Sequence, residues 1–369
     1  MWMPNSEIES RDALPDLLRE AATGPRRAER SEWFRIGDGH LEVLSDHDAL
    51  FAELETVYGD CAVAPPAPGT PRIRCRARAL HESPFLWLSF DGPRFSDPIE
   101  VAHSPYRFLR RQRYAELPAS LPGWRRLVGA QDAGRLLIAS DGKTALVNLD
   151  EAPPEFAVDC IVGVAQSSLT DVLTLHGASV GVGGAGALLV GATGGGKSTL
   201  ALTLAWRGHA FLGDDVAIVR AAGPEILPFP KSAGLREGPL MRLLGERVRA
   251  SRHALAASRH GLTRILVRVS DLFPGSVHGP LPLRFAFFLD GFADQAAIAP
   301  YRPQLTDVKR LQSLVNDSTP GWGMTPGRDL MNYLSAVDLF SRLRCYLVQL
   351  GGPEESARLI EAAMEGSCS

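Results

Sequence analysis

Only four lysines occur in this 369-residue chain, and one of them, Lys197, stands in the run Gly191-Ala192-Thr193-Gly194-Gly195-Gly196-Lys197-Ser198-Thr199. The pattern G-x-x-x-x-G-K-S is that of a phosphate-binding loop. Its glycines let successive backbone N–H groups point at one anion, Lys197 reaches the β- and γ-phosphates, and the Ser198 hydroxyl can ligate Mg²⁺. Residues Gly191 to Thr199 are therefore expected to bind the nucleotide, with ATP and Mg²⁺ as the cofactors. The run Ala187-Leu188-Leu189-Val190 reads as a buried strand, and Thr199 to Trp206 carries helix formers on a helical period. The anion would then also sit on a helix N-terminus.

A phosphate loop does not separate an ATPase from a kinase, so its companions decide. Asp214 and Asp215 follow Lys197 after seventeen residues. One carboxylate at a strand end can hold Mg²⁺ while the other orients and deprotonates an attacking hydroxyl. His176 ends the preceding apolar run, where a lone histidine is more often a packed residue than a catalytic one. The segment Leu227 to Arg236 carries two cations, Lys231 and Arg236, suited to a transferred phosphate or an acidic substrate, or else to solvent as ordinary loop charges.

The elements that must position these groups are legible in outline. Residues 1–31 read as a loosely ordered arm with a short amphipathic piece around Leu14 to Ala22. Residues 32–152 read as a small β-rich α+β domain. Within it lie a hairpin turning at Asp38-Gly39, a helix from Asp46 to about Tyr58, and a Pro-rich linker over residues 64–69. A strand from Arg72 to Arg78 puts four arginines on one face, and further strands cover Phe85 to Phe90 and Arg135 to Leu149. The arginine face reads as solvated, or as a dock for an acidic partner. Residues 153–369 form the catalytic part. There a helix is expected to run to about Leu173, with strands over Leu175 to Val182 and Ala187 to Val190 joined by Gly183 to Gly186. Another strand spans Leu281 to Leu289, and the tail from about Leu330 is expected to be helical.

Composition sets the outer limits. With 45% hydrophobic and 22% charged residues and a net charge of -3, the chain is an ordinary globular one with no general pull toward nucleic acid or membrane. No stretch approaches the eighteen or so apolar residues that span a bilayer, and the N-terminus lacks a signal pattern, so a cytoplasmic protein is expected. Five scattered cysteines, without C-x-x-C spacing, suit reduced thiols.

Four elements agree in order and spacing: His176-Gly177-Ala178, Gly191 to Ser198, Arg207-Gly208-His209 and Asp214-Asp215. Together they resemble the catalytic domain of the HPr kinase/phosphorylase family, and especially its HPr-kinase-related serine kinases, which include tailoring kinases of lasso-peptide precursors. The resemblance covers residues 156 to 235. It implies an α/β fold with a P-loop kinase core of the HPr kinase/phosphoenolpyruvate carboxykinase type, beside the smaller N-terminal domain. It further implies that Asp214 is the general base, that Asp215 and Ser198 serve Mg²⁺, and that His176 supports the phosphate site. Leu227 to Arg236 is similar to a recurrent F-P-x-x-x-x-L-R stretch of the related group, which would place Lys231 and Arg236 near the substrate. Thr199 stands where the bifunctional enzymes usually carry Glu.

The expected function is an ATP-dependent kinase transferring the γ-phosphate to a serine of a protein or peptide, with homo-oligomers possible by analogy. A nucleotide-gated binding module and a small-molecule kinase on the same core are the alternatives. An ABC-type ATPase is excluded by the absence of an L-S-G-G-Q segment and by the short distance to the acid pair.

Overall fold

The computed structural model describes residues 30–80, 83–91, 107–109, 112–117, 125–130, 135–140, 144–150, 154–167, 169, 171–220, 222–251, 255–259, 262–303 and 326–366. The amphipathic piece expected at Leu14 to Ala22 lies outside these residues. In chain order the first half holds β1 (Arg30–Ile36), β2 (Gly39–Ser45), α1 (Asp48–Tyr58), β3 (Arg72–Leu80), β4 (Ser83–Asp91), β5 (Arg107–Leu109), β6 (Gln112–Leu117), β7 (Arg125–Ala130), β8 (Arg135–Ser140) and β9 (Thr144–Asp150). These nine strands form one sheet in the order β1-β2-β3-β4-β9-β8-β7-β6-β5. The first hairpin pairs Ile36 with Gly39, so its turn is Gly37-Asp38, one residue earlier than the sequence suggests. Gly37 adopts φ +61°, which a glycine tolerates without steric cost and an Asp at that position would not.

Next come α2 (Pro154–Ser167), β10 (Val172–His176), β11 (Ala178–Val182), β12 (Ala185–Val190), α3 (Lys197–Trp206), β13 (Ala210–Gly213), β14 (Val216–Arg220), β15 (Glu225–Leu227) and β16 (Ala233–Leu235). The chain continues through α4 (Pro239–Ala250), β17 (Leu255–Arg259), β18 (Leu262–Val267), α5 (Val269–Leu272), β19 (Leu281–Phe292), β20 (Ala297–Tyr301), α6 (Pro326–Ser341), β21 (Arg344–Leu350) and α7 (Pro353–Glu365). The second large sheet runs β10-β14-β15-β19-β12-β11-β13, with β21 beside β19 and β20 beside β21. The chain is thus a mixed α/β protein whose glycine-rich loop, residues 191–196, leaves the sheet strand β12.

Three expectations are corrected here. The helix expected to reach Leu173 ends at Ser167, and Leu173 lies in β10, because Asp171 takes a left-handed φ of +60° that no helix accommodates. The strand expected over Leu175 to Val182 is two strands, split at Gly177. β10 pairs with β14, whereas β11 pairs with β12 and β13. The tail is not wholly helical either. Arg344–Leu350 forms β21, parallel to β19, since Cys345, Val348 and Leu350 are buried on the strand period.

The middle of this sheet is what positions the site. β12, β19 and β21 run parallel, so their carboxyl ends open along one edge. β11 and β12 are joined through Gly183-Gly184 (φ +59° and +79°), a two-residue loop with both residues in the left-handed region. In α3, Leu200, Ala201, Leu202, Leu204 and Ala205 are all buried, leaving the helix little polar surface. It is a core helix, packed between the sheet and α7. The core under β1 to β3 and α1 is shared with Ile218, Leu227 and Phe229 of the second half, so the first half packs directly behind the acid-bearing strands.

Candidate active site

The loop after β12 folds as its glycines require. Gly194 and Gly196 take φ of +80° and +91°, and a side chain at Gly195 would collide with the Ala192 carbonyl. The Gly195 N–H donates to the Ala192 carbonyl at 2.9 Å. Lys197 opens α3 and is only 5% exposed; its ammonium donates to the Gly191 and Ala192 carbonyls at 2.7 and 3.0 Å. Burial lowers its pKa.

The acid pair follows β13. Asp214 is 4% exposed, and its Oδ1 accepts a hydrogen bond from the Ser198 hydroxyl at 2.9 Å. Burial, reinforced by the neighbouring charge of Asp215, pushes its carboxyl up to about 6. Asp215 has the opposite environment. The Lys231 ammonium, 2.7 Å away, holds its carboxyl below the usual carboxylate range, and Asp215 in turn keeps Lys231 above its ordinary value despite burial. Asp215 also sits at φ +64°, a conformation rare for a non-glycine residue and concentrated at functional sites. The turn is fixed by Val216 N–H to Asp214 O (2.8 Å) and Gly177 N–H to Asp215 O (3.2 Å).

His176 ends β10 against this turn. Its Nε2 is buried without a hydrogen-bond partner, and burial together with the Lys197 charge lowers the imidazole to about 4, so it is neutral at neutral pH. Lys231 reaches Asp215 because Phe229 N–H bonds the Leu212 carbonyl at 2.7 Å, laying the 229–232 segment along β13. Ser232 then anchors that segment to α1, its N–H donating to Val57 O and its hydroxyl to Thr56 O, at 2.7 and 2.6 Å.

A cavity of about 280 Å³ opens here, lined by His176, Thr193 to Thr199, Asp215, Arg236, Glu237, Arg264 and Phe292, among others. The structure therefore gathers His176, the loop, Lys197, Ser198, Asp215 and Arg236 around one space. Asp214 stands behind Ser198, and Lys231 is engaged by Asp215 and not free as a loop cation. Sequence reasoning missed Arg264 and Phe292, which come from β18 and the end of β19 and carry no local motif. It also missed Glu361 of α7, which takes up the Arg-Gly-His element. Arg207 Nη2 donates to Glu361 Oε2 at 2.7 Å, and His209 Nε2 lies 2.7 Å from Oε1.

Comparison with known proteins points the same way as this geometry. The family model for the HPr Serine kinase C-terminal domain matches residues 167–233. An HPr kinase/phosphorylase of Caldanaerobacter subterraneus subsp. tengcongensis is 37% identical over 82 residues, covering 22% of this chain and 27% of the relative. One from Aromatoleum aromaticum is 30% identical over 124 residues, covering 33% and 40%. The chain thus spans well under half the length of these curated relatives. A solved structure, the Hpr(Ser) kinase/phosphatase from Coxiella burnetii, aligns over 53% of this chain and 95% of its own at 14% identity with a TM-score of 0.27, too low to support an argument. The segment matched by the HPr Serine kinase C-terminal domain model bears His176, the glycine loop, the acid pair and Lys231.

Proposed function

We propose that the protein is an ATP-dependent kinase that transfers the γ-phosphate to a serine hydroxyl of a protein or peptide. The observation that carries this reading is the convergence of the Ser198–Asp214 hydrogen bond and the Asp215–Lys231 pair at the mouth of a phosphate loop. A second, separately held carboxylate can orient and deprotonate an attacking hydroxyl, and the family relation points to a serine as the source of that hydroxyl.

The residues present fit Mg-ATP. Left-handed glycines and the N-terminus of α3 make a concave anion seat, and His176 presents a buried, unpartnered ring nitrogen beside it. Among the described residues no cluster of three or more His, Cys, Asp or Glu could hold a metal alone, so Mg²⁺ would arrive on the nucleotide and take one or two protein oxygens. When bound it neutralises charge on the transferred phosphoryl group. In this reading Lys197 turns from its two loop carbonyls to the phosphates, and Ser198 and Asp215, which both line the cavity, serve the metal. Asp214, with its carboxyl held near 6, takes the acceptor proton past Ser198. Neutral His176 borders the phosphate site without adding charge to it.

The Ser198–Asp214 bond favours a second division of labour, with these two on the metal and Asp215, turned into the cavity by its left-handed backbone, receiving the proton. Transfer of labelled γ-phosphate from Mg-ATP to serine-containing peptides, titrated with Mg²⁺ for Asp214→Asn and Asp215→Asn, separates the two. The variant that has lost a metal ligand regains rate at high Mg²⁺. The one that has lost the base stays slow at saturation. ATP binding with no labelled polypeptide from any source would overturn the serine-kinase reading. A protein or peptide acceptor follows the family relation, and the lasso-peptide precursor class remains the narrower proposal within it.

A further inference from the structure

We propose that Phe292 is the stacking platform for the base of the bound nucleoside triphosphate, an inference that rests on the nucleotide reading above. Among the described residues three large hydrophobic side chains are exposed, and Phe292, at 69%, is the most exposed of them. Its neighbours on the same strand, Phe285, Phe287 and Phe288, are all buried, so β19 does not lack core positions for aromatic rings. Phe292 is set apart by a local device. The register between β19 and β21 shifts between Leu289 and Phe292, and Gly291 inside that shift takes φ +97°. Such a bulge bends the strand and re-aims the side chain beyond it.

The ring is aimed at the phosphate loop. Phe292 lines the cavity with Thr193 to Thr199, and its Cζ lies 3.6 Å from where a side chain would begin at Gly196. Topology says which part of a nucleotide belongs there. The loop follows β12, and the acid pair follows β13, which lies beyond β11 on one side. Metal, γ-phosphate and acceptor belong to that side. On the other side the parallel strands β19 and β21 end at Phe292 and Leu350, where a crevice at the carboxyl ends of parallel strands receives the rest of the ligand. An exposed aromatic face is worth little in water and gains on stacking a heterocycle, whichever base it is.

The test is calorimetric titration of the full chain with Mg-ATP and, separately, with Mg-tripolyphosphate, comparing wild type, Phe292→Ala and Phe292→Trp. The Ala variant is expected to weaken Mg-ATP about tenfold while leaving tripolyphosphate unchanged, and Trp to bind Mg-ATP at least as well as wild type. Equal weakening of both ligands would mean that the ring only shapes the loop, and no weakening of either that the base lies elsewhere; each overturns the proposal while the phosphate site stands. If wild type binds neither ligand, the nucleotide reading falls and the base platform with it.

Discussion

The two ends of helix α3 carry the same kinds of residue and do opposite things. At its N-terminus Ser198 bonds Asp214, and Lys197 feels the charges of Asp214 and Asp215; at its C-terminal side Arg207 and His209 meet Glu361. In the second cluster the guanidinium and imidazole share one carboxylate. Their hydrogen bonds hold Glu361 below the usual carboxylate range although burial works the other way. The first cluster is left unresolved: Asp214 is pushed up to about 6, Asp215 is held down, and His176 Nε2 has no partner. Satisfied polar groups anchor structure, whereas perturbed and unpartnered ones in a cleft mark chemistry. Spacing in the chain flags both clusters, and only the state of their partners tells them apart.

The sharpest way to break this contrast is to remove the charge at the first end. Lys197→Met is expected to cut phosphoryl transfer by roughly a hundredfold or more, a loss typical of a preorganised charge at developing negative charge, with the thermal midpoint little changed. A variant that unfolds instead of slowing would make the first cluster structural.

Next in size is the stability hidden in Asp214. Its folded pKa lies above the ordinary carboxyl value, so the group contributes stability that is complete below about pH 4 and lost as pH rises through about 6. Asp214→Asn cannot ionise and escapes that loss. Chemical denaturation of the unliganded protein should show the variant gaining on the order of 1–3 kcal/mol over wild type between pH 4 and 7, even as transfer is lost. Parallel stability curves across that range would show that no cost is stored there.

At the other end, Glu361→Ala leaves Arg207 and His209 without their acceptor and is expected to cost about 1–3 kcal/mol, read as a fall of a few degrees in Tm with KM for ATP unchanged. A large rise in KM would move this cluster into the site. The smallest effect belongs to the tie between the halves of the molecule. Ser232→Ala removes one hydrogen bond to Thr56 O and is expected to cost about 1 kcal/mol. Because Ser232 adjoins Lys231, the variant should also weaken the grip on Asp215 and slow transfer a few-fold; an unchanged rate would show that Lys231 is held without α1.

Much of the candidate site was legible because its groups come from consecutive residues. A glycine loop, one lysine and one hydroxyl must be neighbours in the chain to be neighbours in space, and Asp214 and Asp215 follow a strand that the same helix returns to. The split at Gly177 was not legible, since β10 and β11 are both apolar and only their different partners, β14 on one side and β12 and β13 on the other, separate them. β21 was hidden between two helices for a similar reason. Its seven residues read as helix or strand until β19 and β20 are seen on either side.

The sequence by itself determined which groups are available here: a glycine loop, a lysine, a hydroxyl and two carboxylates, each specified by residue type at short range. The tertiary structure decided how those groups are divided. It set Asp214 behind Ser198 and Asp215 against Lys231, because β13 packs beside the 229–232 segment. It turned Phe292 out over the loop through a bulge, and it spent Arg207 and His209 on Glu361, 154 and 152 residues away along the chain. Those outcomes depend on burial and on partners from distant segments, which a linear pattern does not encode.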